Sequence, residues 1–250
     1  MERQDQILFL STVGRGQKMN DLFKNDIENN FSDHIQCPVK KAQFEYNYKK
    51  YFQYNTDLIC LDIGPGRGEM LSCMKNWNIK NFSAIDISPS VVEFCHSLNL
   101  PCEWVESSEN YLKSKPEYYD IITLLDVLEH IPPSNTLHFL SAIYQALRPG
   151  GKVIIQVPNM QAEDATLYYY SDFTHCAGFT EHSFHQIFTT LNFSHFKCFP
   201  YEAFCYGGSK EFAAKILRPV FHFATKFRRK CIGSHCPSII TPVFYAVAIK

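Results

Sequence analysis

The stretch Leu58-Ile59-Cys60-Leu61-Asp62-Ile63-Gly64-Pro65-Gly66-Arg67-Gly68-Glu69 decides how this chain folds. Leu58–Ile63 is an apolar run of strand length, broken only by an acid near its end. Three glycines follow within five residues. Glycine turns the backbone sharply and lets a ligand approach where a Cβ would clash. Next comes a helical period, with Met70, Leu71, Met74 and Trp77 on one face. The segment therefore reads as strand, ligand-cradling turn, helix. A dinucleotide-binding turn has the form G-x-G-x-x-G, but here the third glycine comes one residue early.

The texture repeats outward from that turn. Phe82–Ile85 predicts a second strand, ending at Asp86 about 22 residues beyond Gly64, where an acid can accept both hydroxyls of a ribose. Ser88-Pro89 has the form of an N-cap followed by proline at the first helical position. Val91, Val92, Cys95 and Leu98 supply that helix's apolar face. Cys102–Val105 and Ile121–Leu125 predict two more strands. Leu137, Leu140, Tyr144 and Leu147 mark a helix that stops at Arg148-Pro149-Gly150-Gly151, and Lys152–Val157 predicts a fifth strand. Thr180 caps a helix carrying Phe184, Ile187, Phe188 and Leu191. Phe193–Phe199 and Val243–Ile249 complete the strands. Such alternation implies an α/β fold, a three-layer Rossmann-like sandwich with a mostly parallel sheet.

Two parts stand outside this alternation. Residues 1–57 form an N-terminal helical cap, with helix-like stretches at Lys18–Phe31 and Lys40–Phe52; the second is rich in aromatics and serves as a lid or simply covers the core. The domain proper runs over 58–250, with an insertion at about 206–241. That insertion carries a basic amphipathic stretch, Lys215 to Lys230, with Phe221, Phe223 and Phe227, suited to a membrane surface, an anionic substrate or a solvated face.

Composition narrows the function. At 250 residues, 46% hydrophobic and 15% aromatic, the chain builds a substantial core. A net charge of −1 argues against nucleic-acid binding driven by overall charge. No apolar run reaches the ~18 residues of a membrane span. The polar N-terminus is unlike a signal peptide, and several of the ten cysteines, among them Cys60, Cys73 and Cys95, sit in apolar runs as buried thiols. These features point to the cytoplasm. Cys231, His235 and Cys236, with His222 nearby, gather zinc-ligand types without a C-x2-C knuckle, so a zinc site is not expected there.

Four motifs in order carry a resemblance. These are Asp62-x-Gly64-x-Gly66-x-Gly68, the acid Asp86, Asp120-Ile-Ile-Thr-Leu-Leu-Asp126-Val-Leu-Glu129-His130-Ile131, and Leu147-Arg-Pro-Gly-Gly-Lys152. Together, over roughly Asp57 to Phe199 and a last strand at Val243–Ile249, they resemble the class I S-adenosylmethionine-dependent methyltransferases. The resemblance implies a seven-stranded sheet with an antiparallel last strand. It implies that Asp62, Gly64, Pro65, Gly66 and Gly68 surround the methionine part of S-adenosyl-L-methionine. It further implies that Asp86 holds the ribose, with Ile87, Glu106 and Ser107 toward the adenine, and that Leu125 and Asp126 line the pocket floor. Carboxylates suit a cationic sulfonium, whereas a pyrophosphate wants donors and positive charge.

Methyl transfer to a hydroxyl needs alignment, exclusion of water and removal of a proton. His130 follows the fourth strand, and His175 lies in the long aromatic loop Tyr168-Tyr-Tyr-Ser-Asp172-Phe-Thr-His175. Either is a general base, with Asp172 or Glu129 orienting it. Alternatively Asp126, Glu129, His130 and His175 hold a divalent cation such as Mg²⁺, a spacing similar to that of small-RNA 3′-end 2′-O-methyltransferases. In a third reading the histidines are structural, as in many small-molecule methyltransferases. The Asp172–Glu181 segment looks like methyltransferases of bacterial surface-polysaccharide pathways, which makes a sugar or nucleotide-linked sugar the expected acceptor. Ubiquinone-type phenol methylation shares the Asp-Val-Leu-Glu-His element and is the rival enzymatic reading. A non-catalytic cofactor-binding module is the rival of another class.

Overall fold

The computed structural model describes residues 38–52, 55–203 and 208–250. The helix-like stretch Lys18–Phe31 and the first residues of the insertion lie outside them. Seven strands form one sheet: β1 Ile59–Ile63, β2 Asn81–Asp86, β3 Cys102–Trp104, β4 Tyr119–Leu125, β5 Leu147–Pro158, β6 His195–Pro200 and β7 Val243–Ile249. Their spatial order is β3-β2-β1-β4-β5-β7-β6. Strands β1 to β5 pair in parallel, while β7 is antiparallel to both of its neighbours, β5 and β6. This is the expected Rossmann-like sandwich.

The central strands are apolar because helices cover both faces. In β1 every residue from Cys60 to Ile63 is buried, and β5 is buried continuously from Val153 to Pro158. Helices α1 Pro38–Tyr48, α2 Glu69–Asn76, α3 Pro89–Ser97 and α4 Ser108–Lys113 belong to the N-terminal half. Helices α5 Pro133–Ala146, α6 Ala165–Tyr170, α7 Glu181–Thr190 and α8 Gly208–Cys231 follow. One apolar cluster packs Leu61 and Ile122 of the sheet against Leu140 and Ile143 of α5 and Phe184 of α7. A second packs Phe44 and Tyr48 of α1 with Met70, Ile154 and Tyr245. So α1 is part of the core layer, and it also reaches the sheet's ligand edge.

Local signals explain several boundaries. Thr180 and Ser183 form a reciprocal capping box at α7. Ser88 is the N-cap of α3 with Pro89 inside the first turn, but its side chain makes no capping bond and pairs instead with Ser90 at 2.9 Å. Two expectations need correction. Strand β5 begins at Leu147, not Lys152: Leu147 pairs with Tyr119, and the Arg148–Gly151 stretch is accommodated by a register shift beside β4. The helix before it buries Phe139, Leu140, Ile143 and Ala146, whereas Leu137 is 43% exposed. Helix α4 was not legible as an apolar run because it is one short turn-rich segment, capped by Ser107, whose hydroxyl accepts from the Asn110 amide at 3.3 Å.

Candidate active site

The C-terminal ends of β1, β2 and β4 open into a cavity of about 570 Å³. Open parallel sheets bind ligands at this edge, where neighbouring crossovers diverge. The turn after β1 has Gly64, Gly66 and Gly68 all at positive φ (+69°, +51° and +72°). A Cβ on Gly64 would lie 2.5 Å from Val127 Cγ2, and one on Gly68 would lie 2.6 Å from Leu100 Cδ1. At Gly66 a Cβ would meet nothing within 4 Å, and that residue lines the cavity. The turn is thus closed behind and open in front.

Asp62 and Asp86 are two of the four carboxylates, with Glu69 and Asp126, that line this space. Asp62 is 2% exposed, and its Oδ1 accepts from Thr123 Oγ1 at 2.6 Å, across the β1–β4 pairing that puts these residues side by side. Burial pushes its pKa up to about 7, against the lowering effect of Thr123. Asp86 ends β2, next to β1, and accepts from the Ser88 amide at 2.7 Å. Burial raises it to about 6. Both therefore pay a desolvation cost that a cationic ligand would relieve. The lining also includes Pro65, Ile87, Leu125 and Asp126. Glu106 and Ser107 are not part of it; the neighbouring Ser108 is.

The floor is fixed by a relay that sequence reasoning missed. Asp126 has φ +57°, and both its carboxylate oxygens accept from Gln156 Nε2 at 2.8 Å. Gln156 Oε1 accepts from the Tyr48 hydroxyl, which ties the floor to α1. Burial raises the Asp126 pKa, with Gln156 opposing it. The available signal was a lone amide inside the apolar run Val153-Ile-Ile-Gln156-Val157, since a buried polar side chain in a central strand needs a partner. Lys40 and Phe44 of α1 also line the cavity, and Lys40 pairs with Glu69 at 3.2 Å.

At the far wall the loop after β5 brings His175 to His130. The amides of Cys176 and Ala177 donate to the Glu129 carbonyl at 2.9 and 3.0 Å, pinning the loop to the turn after β4. The two imidazole rings lie 4.7 Å apart, and His130 lines the cavity. Thr174 Oγ1 donates to Asp172 Oδ1 at 2.6 Å, so at its 2.7 Å contact with His130 Nδ1 it accepts. That leaves Nε2 of His130 as the lone-pair nitrogen. The His175 Nδ1 contact with the Tyr169 carbonyl, at 2.8 Å, likewise puts its proton on Nδ1. Hence Asp172 orients His130 through Thr174, and the backbone of Tyr169 orients His175.

Glu129 completes this cluster. It is 1% exposed, neither carboxylate oxygen has a hydrogen-bond partner, and Oε1 lies 3.9 Å from His175 Nε2. Burial drives its pKa well up, and Asp126 adds to the shift. Burial lowers that of His130, with His175 contributing. Ligand atoms of Glu129, His130 and His175 all lie within 4.8 Å of one another, the one such group among the described residues. Asp126, expected with them, is not in the group; both its carboxylate oxygens accept from Gln156. Cys231 and Cys236 are exposed thiols outside any such group.

With this geometry in place, comparison with known proteins places the chain. A profile of the methyltransferase domain matches residues 8–195. The chain belongs to the methyltransferase-domain family. A ubiquinone biosynthesis O-methyltransferase from Hydrogenovibrio crunogenus is 30% identical over 116 residues, which cover 44% of this chain and 46% of that protein. A protein of the same name from Yersinia pestis is 30% identical over 104 residues, 40% of this chain and 42% of its own. The chain thus spans less than half the length of these curated relatives. Among solved structures, a SAM-dependent methyltransferase from Archaeoglobus fulgidus aligns with TM-score 0.67 and 23% identity, covering 85% of this chain and 94% of that one. The 1,6-didemethyltoxoflavin-N1-methyltransferase of Burkholderia thailandensis, solved with S-adenosylhomocysteine, aligns with TM-score 0.58 and 14% identity over 93% and 87%. The fold of this methyltransferase is therefore that of the class I S-adenosylmethionine-dependent enzymes.

Proposed function

We propose that this methyltransferase uses S-adenosyl-L-methionine to methylate a hydroxyl of a small acceptor. The observation that carries the reading is the pair of buried acids, Asp62 and Asp86, on a cavity whose opposite wall holds a lone-pair imidazole. Bound there, the cofactor would supply an activated methyl group on a cationic sulfur. Gly66 leaves room for it, Asp62 and Asp86 would answer its positive charge and ribose hydroxyls, and Ile87 and Ser108 would meet the adenine. His130 would accept the acceptor's proton at Nε2, and the Thr174–Asp172 relay would stabilise the resulting imidazolium. His175 would support His130 through the ring contact.

For the acceptor, the names of the curated relatives support an O-methylation of ubiquinone-type phenols over the sugar reading. The aromatic loop that could offer a sugar its rings adds no support: Tyr168 and Tyr170 are exposed and do not line the cavity, and Tyr169 packs 5.6 Å from His175.

Glu129 favours a second reading of the acceptor wall. A buried carboxylate without a partner, beside two imidazole lone pairs, has the chemistry of a divalent-cation site. Two imidazoles and one carboxylate suit Mn²⁺, Fe²⁺ or Zn²⁺ better than Mg²⁺, which prefers oxygen ligands. Such an ion would lower the pKa of an acceptor hydroxyl.

Methyl transfer from labelled cofactor to a panel of catechols, phenols and nucleotide sugars tests the proposal. Transfer to a phenolic hydroxyl that survives EDTA is the expected result. Transfer restored only by added Mn²⁺ or Zn²⁺ would replace the base with the cation. Cofactor retained with no transfer to any acceptor would contradict the enzymatic reading.

A further inference from the structure

Helix α8 is built inside out. Phe212, Ile216, Val220, Phe223 and Phe227 recur at spacings of four, four, three and four, which places them along one face of a helix. Each is at least 54% exposed. The stripe is about 22 Å long at 1.5 Å per residue. The roughly opposite side holds the helix to the domain through polar contacts. Arg218 pairs with Glu202 at 2.8 Å, Thr225 donates to Glu163 at 3.2 Å, and Arg229 donates to the Gln161 carbonyl at 2.6 Å. A helix covering a core has the reverse arrangement.

Apolar side chains are exposed near α8 as well. Glu163, which also pairs with Arg228, lies just ahead of α6, where Leu167 is 68% exposed and Tyr170 is 78% exposed. Phe173, two residues before His175, is 98% exposed. The exposed apolar side chains thus run along the chain segment that leads to the acceptor wall.

Charge selects the occupant. Helix α8 carries seven basic residues against one acid, Glu211, in a chain whose net charge is −1. A second copy docked through the same face would bring two such basic helices together. An exposed apolar stripe flanked by lysines, Lys215, Lys226 and Lys230, is instead the form of a helix that lies in a lipid interface. No helix among the described residues is long and apolar enough to cross a membrane, so the contact is with a surface.

We propose that α8, together with α6 and Phe173, is a docking face for an anionic lipid surface. The stripe sinks into the headgroup region, Lys215, Lys226 and Lys230 at its margins meet lipid phosphates, and the acceptor wall is held toward the membrane. The proposal stands on exposure and charge and does not depend on which hydroxyl is methylated.

Flotation of the full chain with vesicles tests it, using phosphatidylcholine alone and with about one third phosphatidylglycerol. The expected result is co-flotation with the anionic vesicles and little with the neutral ones. Phe223→Ser/Phe227→Ser should lower the bound-to-free ratio by about tenfold or more, because two aromatic side chains no longer partition. Phe223→Trp, a change that leaves the helix intact, should give a fluorescence shift to the blue on anionic vesicles that the native Trp77 and Trp104 do not. Absence of co-flotation, or an unshifted Phe223→Trp spectrum, would overturn the proposal. So would a dimer that Phe223→Ser/Phe227→Ser converts to monomer without any vesicle binding, which would make the face a self-association surface.

Discussion

The two walls of the cavity are built in opposite ways. The cofactor wall is local: Asp62, the glycine turn and Asp86 are set by strand ends that pair directly, with Gly64 donating to the Ile85 carbonyl at 3.0 Å. The acceptor wall is assembled from afar: His130 and His175 meet only because a loop 45 positions onward hooks its amides onto Glu129. A wall made of backbone tolerates little change in shape, whereas a wall of loop-borne side chains is adjustable. That division suits one constant cofactor and a variable acceptor.

The sharpest way to test the division is to damage each wall separately. His130→Ala should lower kcat by about 10² to 10⁴, the usual contribution of a general base, while cofactor affinity measured by titration stays near wild type. An equal loss in both would merge the two walls. Gly64→Ala should do the reverse and weaken cofactor binding by about a hundredfold, since it adds both a strained positive φ and a 2.5 Å contact with Val127. Unchanged affinity would mean that the turn does not shape the cofactor site. A smaller effect sharpens the adenine end. Ser108→Ala should cost about fivefold in cofactor affinity, the value of one hydrogen bond, and Glu106→Ala should cost nothing. The opposite pattern would restore Glu106 to the site and remove Ser108.

The same two acids also set how stability without ligand depends on pH. Asp62 and Asp86 ionise at higher pH in the folded chain, about 7 and about 6, than the ordinary value of 3.8. Between these limits the folded state binds more protons than the unfolded state, so stability falls as pH rises from about 4 to 7 and then levels. Urea unfolding across that range checks the sign for the wild type against Asp86→Asn, in which the slope should be shallower.

The contrast also explains what could be read from the sequence. Strand ends and turns announce themselves through short apolar runs, glycines and acids, so the first two strands and the glycine turn between them were legible from Leu58 to Asp86. The helix cap at Thr180 was legible for the same reason. Gln156, Tyr48 and Thr174 were not, because each acts through a partner distant in sequence: Asp126, Gln156 and His130 respectively. The Glu129–His130–His175 cluster was half legible. Its residue types were visible, but Asp126 was grouped with them because spacing alone does not reveal that an amide on the next strand claims its carboxylate. Helix α8 was visible as basic and amphipathic, while the direction of its apolar face was settled only by the polar contacts beneath it.

The central claim is that two buried acids await a cationic cofactor, and calorimetric titration tests it most directly. S-adenosyl-L-methionine would be added to the wild type and to Asp86→Ala at pH 6.5, in buffers of different ionisation enthalpy. Saturable binding by the wild type, with proton release as the acids ionise against the cation, and an affinity about ten- to hundredfold weaker in Asp86→Ala, is the predicted result. Absence of binding, or identical affinity and proton balance in the two proteins, would contradict it.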